Sequence, residues 1–471
     1  MFKLFPLPTQ LRLSSSPIVK IWSGLTTGTL HKRILRATII VGALTLLARL
    51  AFVGRDLIVA WRFGRSASLE AFLLAFVVPY SITNALSASL TGTFLPDFIK
   101  LRESGRHQAA QELYSGLLAW LILISGAATF LCVVLQPLYV HLVAASLSVE
   151  SWNLMFNLLC LTAPAAFLSS VVGFWQSILN AEEKFFPSTA VSVFTPLISI
   201  VLLFFSINTG VLALSLGLLI GAIIEALMLG IAVKRTNASL LPRWHGLSPT
   251  MRRAFGQWMR LLVSIFFINA MSLVDNSMAA RLTAHGSVAA LNYGRKAVTF
   301  PIDLSAIAFV TAILPYFSKM VAAHDWGGLR KILRRYLSLI FALNLPIVFA
   351  LVMWSRPIIR LLFERGEFSP ADTEIVSRVL SYYAFNLPFY VAFLVMMKLL
   401  SSLRENASAI WFSGGALLLD IILNYFLSKQ MGVAGIGLAT SCVYLVLALL
   451  LYKHTGGLLK ERESSATAGA V

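Results

Sequence analysis

Residues 46–64 read LLARLAFVGRDLIVAWRFG, an apolar run of bilayer length that carries Arg49, Arg55 and Asp56 inside it. A charge near the centre of a spanning helix costs roughly 2.5–3.5 kcal/mol on insertion scales, so such side chains turn to a polar interior rather than to lipid. The stretch therefore predicts one wall of a wet cavity inside a bundle of spanning helices. A plainer alternative has Arg55 and Asp56 reach the interface and pair with each other, which leaves Arg49 unexplained.

The whole chain supports a membrane setting. With 58% hydrophobic and 12% charged residues and a mean hydropathy of +0.81, it lacks the polar surface that a soluble globular protein needs. About twelve spans are expected, near 37–61, 69–95, 111–135, 152–181, 185–207, 211–233, 255–281, 296–318, 332–354, 374–400, 408–428 and 432–452, each close to the length a bilayer requires. The net charge of +18 could suggest nucleic acid, but its distribution argues otherwise. With the N-terminus placed in the cytoplasm, most lysines and arginines fall on cytoplasmic segments, as the positive-inside rule demands. Both termini are then cytoplasmic, and no nucleic-acid partner is expected. Cys132, Cys160 and Cys442 sit in apolar runs without paired spacing, and the seven histidines form no metal motif.

Residues 1–36 combine lysine and arginine with Pro and Ser and lack an apolar core with a cleavage site, so they read as a basic cytoplasmic segment rather than a signal peptide. A surface helix is expected around Ile18 to Leu30. A six-helix bundle at 37–234, a basic cytoplasmic linker at 235–254, a second six-helix bundle at 255–453 and a cytoplasmic tail at 454–471 complete the organisation. The second bundle repeats the first. A gapless shift of 219 residues sets Asp56 on Asp275, Arg62 on Arg281, Pro96 on Pro315 and Lys100 on Lys319. An offset of six spans gives a parallel repeat, two bundles related by an axis along the membrane normal.

The predicted fold is thus an all-α membrane protein, two pseudo-symmetric six-helix bundles around a central cavity. Arg49, Arg55 and Asp56 of the first span, Asp275 of the seventh, and Arg295 and Lys296 at the start of the eighth would line that cavity. Cations prevail, which predicts an anionic cargo, and arginine holds phosphate oxygens bidentately. Pro79 predicts a kink in the second span. Glu225, alone in the sixth, is either a proton-coupling carboxyl or a hydrogen-bonded side chain facing the bundle.

Arg49-x5-Arg55-Asp56, the following FGRSASLEAFLLAFVVP, ALNYGRKAVTFP of the eighth span, the LP-x-x-S-K ending at Lys319 and above all LLFERGEFSPADT (Leu361 to Thr373) resemble the MurJ/MviN lipid II flippase family of the multidrug/oligosaccharidyl-lipid/polysaccharide exporter superfamily. The likeness runs from about residue 37 to 453. It implies that Arg49 and Arg55 help hold a substrate pyrophosphate, that Glu70 matches an acidic position after the first span, and that Lys296 stands where the family carries an eighth-span arginine. It also implies a sodium site formed by Asp275, Asp420, Asn424, the Ile436 carbonyl and Thr440. The spacings of 420 to 424 and of 436 to 440 place each pair on one helix face. For Asp420 and Asn424, an interhelical hydrogen bond is the competing reading.

The sequence departs from the family pattern in three places. A second-span arginine pair is replaced by Thr83 and Asn84, an eighth-span Asp-Arg appears as Arg295-Lys296, and twelve spans stand where the family typically has fourteen. The expected function is a flippase, not an enzyme. It would move an undecaprenyl-pyrophosphate-linked glycan, lipid II or a related lipid-linked oligosaccharide, to the periplasmic leaflet of a bacterial inner membrane, for peptidoglycan or surface polysaccharide. The bilayer and cell-envelope glycan synthases are the expected partners. An efflux antiporter would need an acidic, aromatic cavity; a membrane enzyme would need a large outer loop with catalytic carboxylates; a scaffold for synthases would need no buried charge.

Overall fold

A computed structural model describes residues 30–143, 149–205, 209–236, 242–243, 249–282, 284–306, 309–310, 312–403 and 405–468, all of them in helices or in short connections between helices. The surface helix expected around Ile18 to Leu30 lies outside these residues except for Leu30, as does half of the 235–254 linker; the last part of that linker, from Pro249, belongs to the seventh helix. Twelve helical paths run through the described chain. They are Leu30–Phe63, Ala67–Glu103, His107–Val134, Val149–Ala181, Phe185–Phe205, Leu212–Lys234, Pro249–Ala280, Ser287–Ala306 with Ala312–Ala322, Trp326–Met353, Pro370–Ser402, Asn406–Met431 and Val433–Ala468. Ten of these helices are long and apolar enough to cross a membrane by composition alone. The first span carries Arg49, Arg55 and Asp56, and the eighth, described over Ser287–Ala306 and Ala312–Ala322, carries Arg295, Lys296 and Asp303.

The repeat extends into the helix boundaries. The same shift of 219 carries His107–Val134 onto Trp326–Met353 end to end, and the short helices that follow, Gln136–Val143 and Ser355–Phe363, start at matching positions. Local chemistry sets these ends. Gly64 closes the first span with φ +48°, its N–H reaching the Ala60 carbonyl at 2.9 Å, and Ser66 caps the second span through Leu69 N. Pro79 sits inside the second span without an N–H to give to the carbonyl four residues earlier. That carbonyl, of Ala75, instead accepts from the Thr162 hydroxyl of the fourth span at 3.3 Å. A neighbouring helix thus satisfies the freed backbone group, which lets proline persist in a spanning helix.

Two expectations shift. The eighth span begins at Ser287, nine residues before its predicted start at 296, because SVAALNYG is small and apolar enough to pack as two buried turns; Arg295 and Lys296 therefore lie well inside the helix. The twelfth span runs on to Ala468, so the predicted tail is helical through its described part. Arg462 there bonds Glu405 and the Leu403 carbonyl, Glu463 pairs with Arg330, and Leu459 and Thr455 are fully buried.

Three apolar cores organise the bundles. One belongs to the first half together with Trp258 of the seventh span, one belongs to the second half, and the third draws on both halves around Val59, Leu74, Ala279, Leu291, Leu380 and Ile436. The halves therefore converge at the end that carries the 64–66, 284–286 and 364–369 connections. Towards the other end the halves stay in contact along the second and seventh spans, where Trp258 donates to Ser89 Oγ at 2.9 Å, and through the Arg49–Asp303 ion pair of the first and eighth.

Candidate substrate cavity and cation site

Between the halves, under the shared core, lies a cavity of about 410 Å³ lined by Arg55, Asp56, Arg295, Lys296 and a polar stripe of Asn269, Ser272 and Asn276. Helical spacing puts the stripe on one face of the seventh span, and Asn276 accepts from Asn292 of the eighth at 2.8 Å. Asp56 Oδ1 sits between two cations, Arg55 Nη2 at 2.9 Å and Lys296 Nζ at 2.8 Å, so one carboxylate ties the first span to the eighth. Arg55 and Asp56 do pair with each other, as the plainer sequence reading had it, yet both line the cavity rather than the membrane interface. A diphosphate entering here would meet two cations already held in place by an exchangeable carboxylate.

Arg49 and Asp275, both expected to line the cavity, sit elsewhere, as does Glu70, implied for the substrate site; Asp275 turns to the eleventh and twelfth spans, where it meets Asn424 and Thr440. Arg49 does not line the cavity; its guanidinium pairs with Asp303 of the eighth span at 2.7 Å, half-exposed at the seam between the two spans. Asp303 escaped the sequence reading because a lone acid within a span, 254 residues from its partner, has no local pattern to mark it. Glu70 is buried and accepts from Val288 N at 2.7 Å, which makes it a side-chain cap on the eighth-span helix. A carboxylate there satisfies an unpaired donor and complements the positive helix end.

The segment that carried the resemblance most specifically closes the cavity. Trp61 offers its carbonyl to Glu367 N at 2.9 Å, Tyr293 donates to the Gly64 carbonyl at 3.1 Å, and Arg65 reaches Asp372 at 3.0 Å, the Gly286 carbonyl at 3.1 Å and the His285 carbonyl. Asp372 is at the same time half of a capping box with Ser369, and Thr373 donates to Glu364 at 2.7 Å. A Cβ on Gly64 would lie 2.3 Å from the Glu367 carbonyl oxygen, and one on Gly366 2.2 Å from that of Trp61. Only glycine permits two turns to meet this closely.

On the far side of the seventh span, Asp275, Asp420, Asn424 and Thr440 converge from three helices, each at most 3% exposed. Asn424 Nδ2 donates to Asp275 Oδ1 at 2.8 Å and to Asp420 Oδ2 at 3.0 Å. Thr440 Oγ1 lies 3.2 Å from the Ile436 carbonyl and 3.4 Å from Asp275 Oδ2. All five residues implied for sodium thus meet, and the interhelical hydrogen bond of the competing reading is present as well. Asp420 Oδ1 and Asn424 Oδ1 remain buried with no donor. Two buried oxygens without a donor, one of them on the Asp420 carboxylate, are open to a hard cation or to a carboxyl proton. Glu225 accepts from the Thr195 hydroxyl at 2.7 Å, the hydrogen-bonded option for that residue.

Against known proteins, the family described as lipid II flippase MurJ matches residues 59–463. The chain belongs to the MurJ family. Among its relatives, a probable lipid II flippase MurJ of Vibrio cholerae is 26% identical over 453 residues, covering 90% of this chain and 83% of that protein. A namesake in Thermotoga maritima is 25% identical over 411 residues, covering 85% and 81%. Among solved structures, a lipid II flippase MurJ in an inward closed conformation superposes with a TM-score of 0.74 at 24% identity, covering 88% of this chain and 86% of that one. An inward-facing multidrug resistance MATE family transporter of the MOP superfamily reaches 0.75 at 15% identity, covering 89% of this chain and 96% of that one. Fold likeness therefore does not separate MurJ from MATE proteins; the family match does, together with a cavity wall in which Arg55, Arg295 and Lys296 outnumber Asp56. The Thr83 that replaces a second-span arginine is buried against the Pro79 carbonyl at 2.9 Å and does not restore that charge.

Proposed function

We propose that this protein is a flippase that carries lipid II, an undecaprenyl-diphosphate-linked glycan, from the cytoplasmic to the periplasmic leaflet of the bacterial inner membrane by alternating access. The observation that carries this reading is the Asp56 carboxylate held between Arg55 and Lys296 on the cavity wall, a site charged for a diphosphate and filled by an internal anion until one arrives. The excess of lysine and arginine on the segments shared with the chain ends supports cytoplasmic termini. In that orientation the closed end is periplasmic and the cavity serves the cytoplasmic leaflet. With the cytoplasm negative, outward movement of each phosphate charge gains about 2.3 kcal/mol per 100 mV. Glycan-polymerising synthases would consume the product in the periplasm. Sodium is the proposed coupling ion, held by Asp275, Asp420, Asn424, Thr440 and the Ile436 carbonyl; when bound it supplies a charge that biases one conformation of the second half.

The test is transfer of a fluorescent lipid-linked glycan by purified protein in liposomes. Arg55→Ala should lower the rate at least tenfold while the protein still inserts and purifies normally. A wild-type rate in that variant overturns the proposal.

A further inference from the structure

Arg295 borders both sites. It lines the cavity, yet its Nη1 donates to Ser272 Oγ at 2.7 Å, one helical turn from Asp275 on the seventh span. Its guanidinium also lies over the Tyr383 ring at 5.8 Å. Tyr383 backs onto the twelfth span at Gly437, beside Ile436 and Thr440; a Cβ on Gly437 would lie 3.5 Å from Tyr383 N. Asn424 bridges Asp275 to Asp420, so the parked guanidinium stands one helical turn from the acid pair.

We infer that Arg295 is the element that couples the two sites, a tethered cation shared between the acid pair and the anion in the cavity. This rests on the flippase reading with sodium as its ion. With Arg295 parked on Ser272, the two buried carboxylates face one fixed positive charge. A diphosphate in the cavity draws the guanidinium towards itself, because an arginine–phosphate pair is bidentate and charge-assisted. The acid pair then loses its compensating charge, and uncompensated charge in a dry interior is costly. A monovalent cation lowers that cost, so anion binding raises cation affinity. By linkage, the cation raises anion affinity by the same factor. The two ligands bind together without touching, and the empty carrier holds neither tightly.

The experiment measures sodium-22 binding to the full chain in nanodiscs, with and without undecaprenyl diphosphate. In the wild type the diphosphate should tighten sodium binding about 5- to 150-fold, the usual range of such coupling. Arg295→Gln should bind sodium more tightly than wild type when no diphosphate is present, and the diphosphate should then change it little. Ser272→Ala, which removes only the parking hydroxyl, should move sodium affinity the same way by a smaller factor, and Arg295→Lys should restore part of the coupling. Sodium affinity and coupling unchanged in both Arg295→Gln and Ser272→Ala overturn the inference and leave the flippase reading standing. Absence of sodium binding to the wild type, with Asp420→Asn as the control for the site, overturns the inference and the choice of ion together.

Discussion

Glu70 shows how one side chain can serve a conformation rather than a ligand. Its carboxylate takes the Val288 N–H at the start of the eighth-span helix, an end with no intrahelical acceptor, and it does so across the junction of the two halves. Loss of a cap costs about 0.5–2 kcal/mol, so Glu70→Ala should destabilise the closed end by that amount. Glu70→Gln should cost less, since it keeps an acceptor oxygen and loses only the interaction of the charge with the helix end. Ala289 is fully buried at this contact. In a cysteine-free protein carrying Ala289→Cys, labelling by a membrane-impermeant thiol reagent should rise about 2- to 30-fold on adding Glu70→Ala, the range that this energy implies. Equal labelling would mean that the cap does not hold the halves together. Charges inside spans were legible from the sequence because lipid forbids them without a reason. Their partners were not. Arg49 meets Asp303 and Glu70 meets Val288 across more than 200 residues of chain, and no local spacing encodes such a meeting.

At the scale of elements, the last helix departs most from its predicted extent. Hydropathy ended it near residue 452, where apolar residues give way to KHTGGLLKERES, yet the helix continues because one of its faces still finds a partner. Leu459 is fully buried in the core of the second half, Arg462 lies over the Trp326 ring at 5.5 Å, and Glu463 pairs with Arg330 at 2.6 Å. Leu459→Ala should lower the unfolding free energy by about 2–5 kcal/mol, as for other buried leucines. Arg330→Ala breaks a half-exposed ion pair and should cost no more than about 1 kcal/mol. Thermal denaturation in detergent ranks the two, and an equal effect would place the stabilisation in charge rather than packing. The span-counting rule that worked elsewhere fails here for a physical reason: it measures affinity for lipid, and this extension is buried against protein. The same reason explains the early start of the eighth span, where small residues pack at the junction instead of forming a loop.

For the molecule as a whole, the two seams between the halves are built differently although the halves are related by the repeat. The second and seventh spans pack closely, with Trp258 fully buried and the Leu261 side chain 3.1 Å from where a Cβ on Gly92 would lie. The first and eighth spans are joined by two ionic rungs, Arg49 to Asp303 and Asp56 to Lys296. Duplication was readable in the sequence as an Asp, an Arg, a Pro and a Lys in register; the inequality of the seams was not, since it arises from residues the repeat does not share. Separating close-packed helices sacrifices many dispersion contacts at once. Ion pairs, by contrast, can be exchanged for a phosphate one at a time with little net cost. The seam of the first and eighth spans should therefore be the one that opens to admit a lipid-linked anion while its tail stays in the bilayer. Spin labels on exposed residues of the first and eighth spans, such as Leu50 and Leu304, should show a distance distribution that shifts by several Å with undecaprenyl diphosphate, a motion of the size expected for helix shifts at an interface. Asp303→Asn should produce part of that shift without ligand. Labels across the second and seventh spans should keep one distance in all three conditions. Movement confined to the latter pair would assign the opening to the packed seam and leave the ionic rungs as static ties.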